Sequence, residues 1–162
     1  NGYFPFGAVM LNQKIAEVFE EDTTGKAAIG SGYTYSGHPV GAAAAIACVK
    51  ETLRLEVNKN AASRGKQIFE GVKKLVEKYE IIGDVRGGHG LMTALELTSD
   101  RTTKAAPKKD KVNAIYKSIY QNGVMVRVSG PNVILSPPLV ISEKETAAII
   151  DAIDAAMAAN PL

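Results

Sequence analysis

The sequence predicts a mixed α and β protein whose second half forms a small sheet covered by helices. Between residues 81 and 162 the predicted elements follow the order strand, strand, helix, hairpin, helix, which is typical of an α+β layer. The first half instead predicts helices joined by a long polar loop. Apolar residues make up 46% of the chain and charged residues 22%, which indicates a globular protein.

The first elements alternate apolar and polar segments. Residues 6–11 are a short apolar run between a proline and an asparagine, and they predict a buried strand. Asn12 is a suitable N-cap for a helix that follows it, because its side chain can accept a backbone N–H bond. Residues 21–36 are rich in Thr, Gly and Ser and predict a loop.

Two long helices are predicted next. His38-Pro39 opens a helix to about residue 57, since proline is tolerated in a first turn. Its first half is almost entirely glycine and alanine, so we expect it to be buried against a neighbouring backbone. Residues 58–79 have apolar side chains at helical spacing and predict a second, amphipathic helix.

The second half contains clear start and stop signals. Gly123 is a good C-terminal cap, residues 129–131 predict a hairpin turn, and Ser142 with Glu145 forms a capping box. The predicted elements are strands at residues 81–85 and 91–97, a helix at 109–122, a hairpin from 124 to 135 and a last helix from 142 to about 159.

Charge and cysteine content exclude several classes of function. The net charge of +2 is too small and too dispersed to indicate nucleic-acid binding. The two histidines are far apart and Cys48 is the only cysteine, so no metal site and no intrachain disulfide are predicted. No apolar run reaches the ~20 residues of a membrane span. A single cysteine fits a reducing compartment, and we expect a cytoplasmic protein.

A glycine-flanked cluster of aromatic and hydroxyl side chains precedes the helix that starts at Pro39. Residues 32–39 have the sequence Gly-Tyr-Thr-Tyr-Ser-Gly-His-Pro. Free backbone N–H groups, the hydroxyls of Thr34 and Ser36 and the positive end of the helix dipole could hold one phosphate. From residue chemistry alone, a polar loop that caps a helix explains the same pattern, and His38 is expected to be a helix-start residue.

Arg127 is the second candidate, because it interrupts an otherwise apolar strand nine residues before Pro137-Pro138. Desolvating a guanidinium there is costly unless an anion meets it, and its planar fork matches a carboxylate. An edge-strand arginine reaching solvent is the alternative. Arg86 and His89 lie in a glycine-rich segment that we interpret as structural.

The motif at residues 32–39 resembles the phosphate-contacting loop of class III pyridoxal-phosphate (PLP) aminotransferases, especially the ω-transaminases. Residues 1–9, Asn-Gly-Tyr-Phe-Pro-Phe-Gly-Ala-Val, resemble the segment that follows the PLP lysine in that family. The resemblance covers essentially the whole chain and implies an α/β fold of the fold-type I PLP transferases. It places the Schiff-base lysine just upstream of Asn1, so the sequence is expected to be the C-terminal portion of a longer enzyme and inactive alone.

The resemblance also implies domains and residue roles. Residues 1–57 would end the PLP-binding large domain, 58–80 would be a connecting helix, and 81–162 would form the small C-terminal α+β domain. Tyr33 and Thr34 would contact the PLP phosphate of the neighbouring subunit, which implies a homodimer with shared active sites. Arg127 would bind the substrate carboxylate.

The function that the resemblance implies is transamination of an amine or ω-amino acid with pyruvate or a similar keto acid. Two alternatives stay open. The first is another class III enzyme, such as a 4-aminobutyrate or ornithine transaminase, an aminomutase or a decarboxylase. The second is a non-catalytic assembly domain, since the chain itself carries no lysine at the family position.

Overall fold

The computed structural model describes residues 4–161, so the Asn-Gly-Tyr motif at residues 1–3 lies outside the described part of the chain. The chain divides into two compact units, Asn1–Leu55 and Glu56–Leu162. The boundary falls at Glu56, whose backbone is left-handed, with φ of 47°. The elements, in chain order, are α1 (Gln13–Glu20), α2 (Pro39–Arg54), α3 (Val57–Lys78), β1 (Ile82–Arg86), β2 (Thr93–Leu97), α4 (Lys109–Gln121), β3 (Arg127–Ser129), β4 (Asn132–Leu135) and α5 (Glu143–Ala158).

The first unit contains α1 and α2. The predicted cap of α1 is confirmed, because the Asn12 side-chain oxygen accepts a hydrogen bond from the Ile15 N–H at 3.0 Å. The strand predicted at residues 6–11 is wrong: the segment lies in neither a helix nor a strand, and the side chains of Val9 and Met10 are 89% and 92% exposed. A strand requires a neighbouring strand to satisfy its backbone N–H and C=O groups, and an apolar run does not by itself specify such a neighbour.

Helix α2 starts as predicted but ends earlier, at Arg54, and its expected burial is not found within this unit. Gly41 is the buried residue of the helix, and a Cβ built on it would lie 2.5 Å from the Phe4 ring. The alanine positions of the helix are half-buried or exposed. The small side chains therefore leave α2 open on most of its surface.

The second unit contains the strands and helices predicted for residues 81–162, together with α3. Its four strands form one antiparallel sheet in the order β1-β2-β4-β3. The β3–β4 hairpin turns at Gly130-Pro131, where Gly130 has a φ of 57° that favours glycine. The predicted capping box is present, since the Ser142 hydroxyl accepts from the Glu145 N–H while the Glu145 carboxylate accepts from the Ser142 N–H.

Helices α3, α4 and α5 cover one face of this sheet. The alternating burial of β2 and β4 shows that one face is in the core and the other is open. Buried apolar side chains from all three helices and from three strands form the core, including Ile68, Val72, Ile82, Leu95, Ile115, Ile119, Val133, Ile153 and Met157.

One contact in this unit requires glycine. Gly65 of α3 lies against the backbone of Gly90, and a Cβ built on Gly65 would be 1.9 Å from the Gly90 carbonyl oxygen. The β1–β2 loop can therefore approach α3 only because position 65 lacks a side chain.

None of the helices between residues 4 and 161 combines the length and the apolar character that a bilayer crossing requires.

Candidate functional site

The Gly-Tyr-Thr-Tyr-Ser-Gly-His-Pro segment forms a closed turn before α2. The Ser36 N–H donates to the Tyr33 carbonyl at 2.9 Å, and the Ser36 hydroxyl oxygen accepts from the Tyr33 N–H at 3.0 Å. The His38 N–H donates to the Tyr35 carbonyl at 3.2 Å. These three hydrogen bonds fix the backbone on both sides of Thr34, although the segment lies in neither a helix nor a strand.

His38 is the N-cap of α2, as its position before the proline predicts. Its Nδ1 accepts a hydrogen bond from the Gly41 N–H at 3.2 Å, and its ring lies 5.4 Å from the Phe4 ring between centroids. One free donor of the helix N-terminus is therefore already satisfied by the protein itself. A ligand phosphate near this turn would have to use other donors.

Thr34 supplies such donors. Neither its hydroxyl nor its backbone N–H has a hydrogen-bond partner within residues 4–161, and its side chain is exposed. The neighbouring Tyr33 side chain is 81% exposed. Two donors on one residue next to an exposed aromatic ring fit a phosphate, which needs charge-assisted N–H and O–H bonds. The geometry therefore suits an anionic group such as a phosphate.

Arg127 begins β3, the edge strand of the sheet, and pairs with Ile134 of β4. The sequence argument that this guanidinium is desolvated is wrong for this unit, because Arg127 is exposed while Val126 beside it is buried. The alternation of the strand sends Arg127 to the open face of the sheet. Within the described residues its side chain has no hydrogen bond and no ion pair.

A groove of about 770 Å³ runs beside Arg127. Its lining is mostly apolar, and Arg127 and Glu145 are the charged side chains on its walls. The residues that form it come from the end of α4, the β3–β4 hairpin, the Pro-Pro segment and the start of α5: Tyr116, Gly123–Arg127, Ile134–Pro138, Val140, Ile141, Glu145, Ala148 and Ile149. An unpaired guanidinium at an apolar groove is suited to a small substrate that carries a carboxylate.

Arg86 contrasts with Arg127, because its charge is compensated within the sheet. Its guanidinium donates to Glu96 at 2.5 Å, to Asp84 at 2.9 Å and to the Asn132 side-chain oxygen at 2.7 Å. The Glu96 carboxylate and then the Asp84 carboxylate raise the pKa of Arg86. These contacts support the structural interpretation of Arg86, and His89 in the loop that follows is exposed.

Asn60, which the sequence analysis did not identify, supports one wall of the groove although it is not one of the lining residues. Its side-chain Nδ2 donates to the carbonyls of Leu139 and Ile141 at 2.8 and 2.9 Å. These partners are 79 and 81 residues away, so no local motif marks the position.

No cluster of potential metal ligands occurs in the described part of the chain.

Comparison with known proteins gives a consistent result. The sequence profile of the family described as Aminotransferase class-III matches residues 1–157. The chain is 33% identical over 156 residues to gamma-aminobutyrate transaminase 1, mitochondrial, from Oryza sativa subsp. indica, with 93% of this chain and 29% of that protein covered. It is 34% identical over 154 residues to the uncharacterized aminotransferase y4uB of Sinorhizobium fredii, covering 93% of this chain and 33% of that protein.

Solved structures give the same similarity. An amine transaminase from an uncultivated Pseudomonas species, solved in a PLP-bound form, superposes with a TM-score of 0.89 at 39% identity, covering 98% of this chain and 36% of that one. An (S)-enantioselective omega-transaminase from Thermomicrobium roseum superposes with a TM-score of 0.77 at 28% identity, covering 92% and 33%. The chain thus spans about a third of the length of the proteins that it matches.

Proposed function

The chain belongs to the class-III aminotransferase family, and from this membership we propose that the complete protein is a PLP-dependent transaminase. It moves an amino group from an amine or ω-amino acid to pyruvate or a similar keto acid. The observation that carries the proposal is the superposition of 98% of this chain on an amine transaminase solved with PLP, at 39% identity. The fold is that of the fold-type I PLP transferases.

The residues of the first unit support binding of the cofactor. When bound, PLP carries the amino group between substrates and takes up the electron pair of the carbon that loses its proton. Thr34 holds the phosphate through its hydroxyl and N–H, both of which lack partners within residues 4–161. Tyr33 would lie beside the phosphate when the cofactor is bound. The turn bonds of Ser36 keep this geometry in place before the cofactor arrives.

The second unit supports recognition of the keto acid. Arg127 binds the substrate carboxylate through two parallel N–H bonds, and the apolar walls of the groove accept the rest of the molecule. Because Arg127 has no anionic partner among the described residues, no internal ion pair must break before the substrate binds. A carboxylate-free amine leaves this guanidinium solvated.

Several features of the complete protein belong to this proposal. Residues 1–57 end the large domain, 58–80 connect the domains and 81–162 form the small domain. The protein is a homodimer in which Tyr33 and Thr34 serve the neighbouring subunit's cofactor. The N-terminal remainder supplies the lysine, and the protein works in the cytoplasm. Sedimentation tests the homodimer, and cell fractionation tests the location.

A second candidate is 4-aminobutyrate transamination. It is favoured by the relatives named as gamma-aminobutyrate transaminases, one of which is 33% identical to this chain. Both candidates use the same cofactor residues. Since 4-aminobutyrate is itself an ω-amino acid, they differ in whether a carboxylate-free amine is also accepted and in the preferred keto acid. Initial rates with 4-aminobutyrate and with a simple arylalkylamine, each with pyruvate and with 2-oxoglutarate as acceptor, separate them.

The direct test is transamination by the complete protein supplied with PLP, an amine donor and pyruvate. We expect one alanine for each amine consumed, with no activity when PLP is withheld. Absence of amino transfer to pyruvate, to 2-oxoglutarate and to other keto acids with every amine or ω-amino acid donor would contradict the proposal and would favour a non-catalytic assembly domain.

A further inference from the structure

One wall of the Arg127 groove has little hydrogen bonding of its own. This wall segment, residues 137–141, lies in neither a helix nor a strand. Two of its residues are prolines, which have no N–H to donate. A turn bond from the Ile141 N–H to the Pro138 carbonyl, at 3.0 Å, is its internal backbone contact. The position of the wall segment therefore depends on groups outside it.

Asn60 of α3 provides the missing contacts. Its amide nitrogen carries two hydrogens, and one bonds the Leu139 carbonyl at 2.8 Å while the other bonds the Ile141 carbonyl at 2.9 Å. Asn60 is half-buried and does not line the groove. It thus holds the wall segment from behind, at two points that flank Val140, whose side chain is part of the groove lining.

The same face of α3 also holds the residue that begins α5. Arg64 pairs with the Glu143 carboxylate at 3.0 Å, and the Gln67 side chain donates to the Glu143 carbonyl at 3.3 Å. Positions 60, 64 and 67 follow the spacing of one helical face. Helix α3 therefore fixes the wall segment and the start of α5 together, and both border the groove that contains Arg127.

We propose that Asn60 is a positioning residue for recognition of the substrate carboxylate. It fixes the wall segment in the groove that contains Arg127 and thereby sets the affinity for a keto acid, without touching the substrate. The inference rests on the proposed transamination. A carboxylate gains from a guanidinium fork only when its neighbours hold it in alignment, and a displacement of about 1 Å can cost about a hundredfold in rate.

The test compares Asn60→Asp with the wild type, both in the complete protein loaded with PLP. The substitution removes both N–H donors at almost constant size. We expect the KM for pyruvate to rise about tenfold or more, because the wall segment is no longer fixed. The KM for an aldehyde acceptor without a carboxylate, and the rate of amine donation, should stay within about twofold.

Asp154→Asn is the matched control. Asp154 joins the other ends of the same two helices through Lys78 and lies outside the groove lining. Its loss should lower stability without changing the ratio of the two acceptor KM values. Asn60→Leu removes both donors at similar size without adding a charge, so it should raise the KM for pyruvate as Asn60→Asp does, and it carries the test if Asn60→Asp does not fold.

Equal losses with pyruvate and with the aldehyde would overturn the assignment of Asn60 while leaving the transaminase activity in place. A wild-type protein that transfers no amino group to any keto acid would instead refute the proposed function, and the role of Asn60 with it. An unchanged pyruvate KM in a folded Asn60→Asp protein would show that the wall segment holds its position without this residue.

Discussion

Arg86 and Arg127 lie in one cross-strand row, at the two opposite edges of the sheet. Arg86 pairs with Ala94, Ala94 with Ile134, and Ile134 with Arg127. Both arginines are exposed, but Arg86 is bonded to two carboxylates, whereas Arg127 has no anionic partner within residues 4–161. The positive charge of Arg86 is therefore compensated within the sheet, whereas the guanidinium of Arg127 can bind an anionic ligand.

Arg127→Ala in the complete protein should separate its two half-reactions. The KM for pyruvate should rise by one to two decades, about 1.5–3 kcal/mol, because a charge-assisted pair with the carboxylate is lost. Transfer from a simple arylalkylamine should be nearly unchanged, since that substrate offers no anion. Single-turnover rates of each half-reaction measure the difference.

Two further variants make this result specific. Arg127→Lys should recover only part of the pyruvate affinity, because an ammonium group lacks the planar fork. Arg86→Ala is the matched control at the other end of the row, and it should alter stability but not the preference for a carboxylate. Equal losses in both half-reactions of Arg127→Ala would mean that Arg127 supports the fold or the cofactor.

Thr34→Ala should weaken PLP retention by one to two decades in dissociation constant. The hydroxyl has no hydrogen-bond partner within the described residues, so its removal should leave the Tyr33–Ser36 turn intact. One hydrogen bond to a charged phosphate contributes about 1.5–3 kcal/mol. Equilibrium dialysis of the cofactor measures the change, and Thr34→Ser, which keeps a hydroxyl, should restore most of it. Unchanged affinity in Thr34→Ala would remove this residue from the site.

Gly65→Ala should destabilise the protein by about 2–4 kcal/mol, because the new Cβ would overlap the Gly90 carbonyl and the backbone must move. Gly71→Ala on the same helix is the control. There the nearest atom is the end of the flexible Ile150 side chain, at 2.3 Å, and this side chain can rotate away. Thermal melting compares the two, and a milder effect at position 65 than at 71 would contradict the close approach.

Asp154 should make stability depend on pH at the acid end. The Lys78 ammonium, and after it the Tyr79 hydroxyl, lower the pKa of Asp154 by bonding its ionised form. A carboxyl whose pKa is lowered by folding stabilises the protein above its unfolded pKa of about 3.9, and this stabilisation is lost as the pH falls through the folded value. Because the pair is partly exposed, its loss should cost about 1 kcal/mol or less at neutral pH.

Chemical denaturation of the wild type and of Asp154→Asn at neutral pH and at pH values below 4 checks this dependence. The difference in unfolding free energy should be present at neutral pH and should shrink towards zero in acid. A difference that stays constant with pH would show that the aspartate acts through packing and not through its charge.

Local signals predicted most of the second unit. The capping box at Ser142, the glycine cap after α4 and the hairpin at residues 129–131 each depend on neighbours within a few residues, and each is present. The strand at residues 6–11 failed for the opposite reason, because a strand is defined by a distant partner. The exposed side chains of α2 show the same limit: small residues permit close packing but do not specify what packs.

The residues of the candidate site also divide into those with local sequence signals and those that depend on distant contacts. The turn around Thr34 and the cap at His38 are local and could be predicted. The exposure of Arg127 depends on which face of the sheet the helices cover, and a strand of three residues does not indicate that face. Asn60 could not be found from sequence, because its partners lie about half a chain away.

The strand order has a consequence for synthesis on the ribosome. β4 is the last strand within residues 4–161, yet it lies inside the sheet between β2 and β3. Until residue 135 has emerged, the nascent chain exposes an edge of β2 that can pair with other chains. Translation pauses between β2 and β4 should therefore leave protease-sensitive chains that need a chaperone, and slow codons are tolerated better after β4 than before it.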